Sequence, residues 1–209
     1  MIRHRIAAVL FSIAVTVAMA ALDRTPGATA MAQEPAQSDR DPAEANRAPF
    51  ALVDHTGRAV TDRDFLGRFL LIFFGYTHCP DVCPMDLAIM SEAVDLLGDE
   101  GNWVQPLFIT IDPVRDTVAV LANFVGHFHP RLIGLTGTPE QVTAVAKRYH
   151  ARYQMFTPAE GAEPESYLMD HTAAFYLLGP DGGGLALFNH ATKAEDIAAV
   201  IRQFIDRLP

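Results

Sequence analysis

Six consecutive large apolar residues, Phe69 to Phe74, stand between Arg68 and Gly75 in the stretch RFLLIFFGYT. A strand with one wet face alternates apolar and polar residues, so an unbroken run this short describes a strand covered on both faces. VQPLFITI, from residue 104, and RLIGLTG, from residue 131, have the same character. Segments of helical period separate them. In PMDLAIMSEAVDLLGDEG, Leu87, Met90, Ala93, Val94 and Leu97 share one stripe, which stops at a glycine. DTVAVLANFVGHF is a helix with Asp116 or Thr117 at its cap, and TPEQVTAVAKRYHARY is opened by Thr138 with Pro139 at the first helical position.

Strand and helix in alternation predict a parallel sheet covered by helices. Antiparallel additions flank it. FALVDHTGRAV, from Phe50, turns at HTG and predicts an N-terminal hairpin, DHTAAFYLLGPDGGGLALFNH predicts a second hairpin about its glycines, and TKAEDIAAVIRQFIDRL closes the chain as a helix. The expected fold is α/β: a thioredoxin-like three-layer sandwich with a central mixed sheet and an added N-terminal β-hairpin. Such folds set a cysteine pair where the first central strand meets a helix, and GYTHCPDVCP falls at that junction.

That segment holds the only cysteines of the 209-residue chain, Cys79 and Cys83. If the helix begins near Cys79, their Cβ atoms lie about 5–6 Å apart on one face. The pair can then close a disulfide, or a soft cation can draw two thiolates together. Pro80 and Pro84 stiffen the loop, and a helix N-terminus lowers a thiol's pKa. As a structural staple the pair would do little, because so short a loop removes little chain entropy.

A metal on two thiolates needs a third donor. Of the eight histidines, His55 and His190 lie in or beside turns, while His127, His129 and His150 end helices; His78 would have to fold back on its neighbour. His171, just before a predicted strand of the same sheet, is the candidate, although a lone histidine there is often satisfied by backbone. Met155 and Met169 form no Met-x-Met cluster and read as core filling. Asp112, Arg115 and Asp116 in DPVRDT have two readings: a capped turn with a local ion pair, or a docking or supporting role at the cysteine edge.

FFGYTHCPDVCP, ITIDPVRDT, LIGLTGTPEQV and MDHTAAFYLLGPDG, in this order and spacing over about Phe50 to Leu208, resemble the SCO/SenC family of copper-binding assembly proteins for cytochrome c oxidase. The resemblance implies copper, Cu(I) or Cu(II), held by Cys79, Cys83 and His171. It also implies delivery to the dinuclear copper site of the oxidase's copper-binding subunit, and an upstream copper donor. The alternatives are a thiol–disulfide oxidoreductase acting on that subunit through Cys79 and Cys83, and a redox or copper sensor. General dithiol reductases use C-x-x-C, so the wider spacing favours metal. A peroxiredoxin is excluded, since Ile72 and Tyr76 stand where its proline and threonine belong.

Ahead of the domain, Arg3 and Arg5 precede an uncharged run from Ile6 to Leu22, expected to be a membrane anchor or a signal segment (1–22) that exports the rest of the chain. The location implied is a bacterial inner membrane with the domain facing the periplasm, or the periplasm itself if the leader is removed. Residues 23–49 are poor in aromatic and branched apolar residues and are expected to be a disordered tether, leaving 50–209 as the domain. The chain carries −9, and residues 1–32 hold three arginines against one aspartate, so the remainder carries −11. That charge repels phosphate backbones and argues against nucleic acid as a partner.

Overall fold

The computed structural model describes residues 49–156 and 167–208. The expected anchor or signal segment, and the tether apart from Pro49, lie outside the described residues. Among those described, no helix is long and apolar enough to cross a membrane.

The N-terminal hairpin forms as expected, from β1 (Ala51–Asp54) and β2 (Ala59–Thr61). Its turn is held by the Asp54 carboxylate, which accepts from the Thr56 amide and hydroxyl and the Arg58 amide, while Gly57 takes a φ of +87°. The three apolar runs become β3 (Phe69–Gly75), β4 (Val104–Thr110) and β5 (Ile133–Thr136). β3 pairs parallel with β4, and β4 with β5. β8 (Ala174–Leu178) runs antiparallel to β3, with β9 (Gly184–Asn189) outside it. Seven strands thus make one mixed sheet in the order β2-β1-β5-β4-β3-β8-β9.

Among the described residues, four α-helices cover it: α1 (Val82–Leu96), α2 (Val118–Val125), α3 (Pro139–Arg148) and α4 (Ala194–Ile205). Thr117, not Asp116, caps α2, and Thr138 with Gln141 forms a capping box on α3. Ring contacts identify the layers. Phe73 packs against Phe108 and Phe175 on one face of the sheet, where Phe108 meets Phe124 of α2. Phe74 points to the other face and meets Tyr149, at the end of α3, and Tyr176. β3, fully buried along its length, is the core of a thioredoxin-like three-layer sandwich.

One element departs from expectation. Tyr153, expected to close a helix, instead opens strand β6 (Tyr153–Phe156), which pairs antiparallel with β7 (Leu168–His171) in a separate two-stranded ribbon. His171 therefore ends a ribbon outside the main sheet, and its chain enters β8 three residues later.

Candidate metal centre

β3 ends at Gly75, Tyr76 is buried, and the chain turns through Thr77–Asp81 before α1 begins at Val82. The helix starts later than expected, so Cys79 lies in the turn ahead of it and Cys83 in its first turn. Pro84 is tolerated there because the first helical amides have no carbonyl partner within the helix. Asp81, the residue at the cap position, makes no side-chain capping bond. The Cys79 sulfur takes that part, accepting the Cys83 amide at 3.4 Å.

A buried carboxylate anchors the turn from below. Asp116 accepts from the Thr77 amide at 3.0 Å, the Thr77 hydroxyl at 2.6 Å and the Thr110 hydroxyl at 2.6 Å. Beside it, the Arg115 guanidinium pairs with Asp112, donates to the Tyr167 carbonyl at 2.9 Å and lies 3.5 Å from the centre of the Tyr167 ring. The Tyr167 hydroxyl donates to Asp112 at 2.8 Å. This cluster ties the loop after β4 to the residue just before β7, and so to the ribbon that carries His171. The local ion pair expected of this segment is present, and its cap falls to Thr117 rather than Asp116.

The ribbon delivers the imidazole. His171 Nε2 stands 3.6 Å from Cys83 Sγ, and the donor atoms of Cys79, Cys83 and His171 all lie within 4.8 Å of one another. Nδ1 is 3.2 Å from the Thr172 carbonyl. A carbonyl only accepts, so Nδ1 carries the proton and Nε2 turns its lone pair toward the sulfurs. The edges and faces of Phe73 and Tyr76, each 6.1 Å away, wall the ring. Cys79 and His171 open on a groove of about 520 Å³ lined also by Tyr76, Pro80, Val82 and Leu168.

Both cysteines are free. The hydrogen bond from Cys83 pulls the Cys79 pKa down to about 3, with the Asp81 and Cys83 amides adding to it against burial. The same contact with Cys79, together with burial, pushes the Cys83 thiol up. One proton is therefore held at Cys83, with Cys79 the thiolate. The sign of the shift at Cys79 has a measurable consequence. A thiol of ordinary pKa gains thiolate, and hence alkylation rate, as pH rises through 8–9, whereas Cys79 is already fully ionised far below neutrality. Iodoacetamide should label Cys79 at a near-constant rate between about pH 5 and 8 and Cys83 much more slowly. A Cys79 rate rising tenfold per unit across that range, followed by peptide mass spectrometry, would contradict the assignment.

The other candidates fall elsewhere. His78 is half exposed, 3.0 Å from the Thr77 hydroxyl and 3.7 Å from Asp116, and is not part of the triangle. His55 accepts the Gly134 amide, buried His129 faces Asp95, and His127 and His150 are exposed. Met169 is buried as expected, but Met155 is exposed on the ribbon rather than filling the core. Three features had no legible local signal. Asp86, fully buried one turn after Cys83, binds His190 at 2.9 Å and the Ala191 amide at 3.2 Å from 104 and 105 residues away. Tyr167 closes the Arg115 cluster, and Gly75 lies under the Cys83 sulfur.

A family profile described as SCO1/SenC matches residues 38–206. The chain belongs to the SCO1/SenC family. The human Protein SCO1 homolog, mitochondrial, is 48% identical over 155 residues, 73% of this chain and 50% of that protein. This SCO1/SenC chain spans about half the length of the first curated relatives it matches. Among solved structures, Arabidopsis thaliana ScoI with copper bound superposes with a TM-score of 0.70 at 34% identity, covering 77% of this chain and 98% of that one. Bradyrhizobium japonicum ScoI with copper bound gives 0.67 at 40% identity, covering 75% and 97%.

Proposed function

We propose that this protein is a copper metallochaperone: it binds copper through Cys79, Cys83 and His171 and delivers it to the dinuclear copper site of cytochrome c oxidase during assembly. The observation that carries the reading is the triangle of two sulfurs and one imidazole nitrogen, all within 4.8 Å, with the Nε2 lone pair directed inward. Two soft sulfurs favour Cu(I), and an imidazole nitrogen also suits Cu(II). The copper-bound structures of two relatives support the same cargo. Since Cys83 holds a proton, copper displaces that proton on binding, and affinity rises with pH. Copper is cargo that must leave, and a site of three donors opening on a groove lets a recipient's ligands enter before the chaperone's depart.

In this reading the N-terminal segment holds the domain at the periplasmic face of a bacterial inner membrane, with Arg3 and Arg5 on the cytoplasmic side. The recipient is the oxidase's copper-binding subunit, and an upstream donor supplies the metal. The test is anaerobic loading of the purified chain with Cu(I). One copper per chain is expected, with an X-ray absorption spectrum of two sulfur neighbours and one nitrogen, followed by transfer of the metal to the copper-binding subunit. A sulfur-only shell, or retention of copper when the subunit is added, counts against it.

A second reading has one observation on its side. A half-buried thiolate at Cys79 with a protonated thiol behind it is the pairing of attacking and resolving groups in disulfide exchange. Reduction of the subunit's cysteines in the absence of copper would favour it.

A further inference from the structure

Between Gln141 and Phe156 the chain carries Lys147, Arg148, His150 and Arg152 and no aspartate or glutamate, in a protein with 25 acidic residues and a net charge of −9. All four are exposed. Three arginines elsewhere pair with carboxylates, Arg58 with Asp54, Arg115 with Asp112 and Arg202 with Glu100, while Arg68 bonds Gln105 and Arg131 bonds the Gly101 carbonyl. Among the described residues, Lys147, Arg148 and Arg152 make no such pair. Lys147 and Arg148 lie in the last turn of α3, where cations complement the helix dipole. That explanation does not reach Arg152, which is past the helix and immediately precedes β6 of the ribbon.

The ribbon joins this charge to the metal centre. The Thr172 amide donates to the Arg152 carbonyl at 2.8 Å, the Arg152 amide donates to the Thr172 hydroxyl at 3.2 Å, and Tyr153 lies across the ladder from His171. A cleft of about 840 Å³ runs along this side, lined by Lys147, Arg152, Tyr153, His171 and Thr172, with Asp170 its acidic member. A neighbouring hollow of about 370 Å³ shares Lys147 and Arg152 and adds His150. The groove with Leu168 and exposed Phe156 adjoins this cleft, sharing Gln154, Asp170 and His171 with it.

The geometry points to this basic cleft as the docking face for an acidic segment of the protein that exchanges copper with the centre, an inference that rests on the copper-carrier function. A partner carrying negative charge is repelled by the rest of an acidic surface and attracted here. Encounter is thereby oriented so that His171 and Cys79 face the partner's ligands. Apolar ground beside a charged rim is the make-up of a protein interface, and a concave cleft suits a projecting acidic segment better than a flat lipid surface.

The test compares the full chain with two double reversals that change net charge equally: Lys147→Glu with Arg152→Glu in the cleft, and Lys193→Glu with Arg207→Glu, which do not line it. Association with the oxidase's copper-binding subunit is followed by stopped flow at several salt concentrations. The cleft variant should associate at least about tenfold more slowly at low salt and lose most of its salt dependence, while the control keeps the parent's slope. Cu(I) affinity, measured by chelator competition, should be equal in all three and shows that the centre is intact. Equal rates and slopes for parent and cleft variant overturn the inference, as does a parent that does not associate with the subunit. It is likewise overturned if the cleft variant loses only binding to vesicles of anionic phospholipid. If the association rates differ as expected but the parent transfers no copper, the docking face stands and the copper-carrier function is what fails.

Discussion

Replacing His171 by alanine is expected to weaken Cu(I) binding by more than roughly 100-fold, beyond what losing a merely supporting contact to a ligand costs. His171 presents the nitrogen of the triangle, 3.6 Å from Cys83 Sγ, and its Nε2 makes no hydrogen bond to nitrogen or oxygen among the described residues. The ring is half-buried at the end of a two-stranded ribbon, so truncation removes a donor without opening the main core. Cys79 and Cys83 are positioned independently, by the Asp116 clamp on Thr77 and by the first turn of α1. The variant should therefore still exchange with a small disulfide while failing to hold copper against a chromophoric Cu(I) chelator under anaerobic conditions. If it binds as tightly as the parent, the three-donor centre is wrong and the site is a bare dithiol.

Gly75→Ala is expected to damage both fold and centre, although it adds a single methyl group. A Cβ at Gly75 would lie 2.8 Å from Cys83 Sγ, 2.9 Å from the Phe108 ring and 3.0 Å from the Phe73 ring. The backbone has little room to withdraw, because Gly75 is registered opposite Thr110 in the parallel ladder and its carbonyl accepts the Ile111 amide at 2.8 Å. Overpacking of this kind costs about 1–3 kcal/mol. For a domain of this size each kcal/mol lowers the melting temperature by about 2–4 °C. The flexible neighbour is the Cys83 sulfur, so the strain is relieved by moving a metal donor. A thermal melt and a Cu(I) competition on the same preparation should both shift downward. A variant that melts and binds like the parent would show that the strand end relaxes freely.

Much of this architecture was legible in short stretches of chain. Phe69–Phe74 announced a strand buried on both faces, and the stripe Leu87, Met90, Val94 announced α1, because a residue's burial in a regular element repeats with that element's period. The cysteine pair was legible as chemistry from its spacing, and His171 from its motif. The ribbon was not. Tyr153–Phe156 is largely exposed, so it carries no alternation of buried and exposed residues, and its pairing with Leu168–His171 is a contact between segments that share no local pattern. Asp116 shows the same limit. Its place before a helix suggested a cap, yet it is fully buried and serves Thr77, 39 residues away.

The sequence by itself determined the sheet's central strands, the helices between them and the two sulfurs at the end of β3, since each depends on residues within a turn or a few strand positions of one another. Only the tertiary structure decided that an imidazole 88 residues from Cys83 meets those sulfurs, and which of its nitrogens faces them. It also decided that Asp86 and His190 pair one turn after Cys83 and that Arg152 shares a cleft with His171. These depend on how the ribbon and the hairpin after it are laid against β3, which is set by packing across the whole domain rather than by any one stretch of residues.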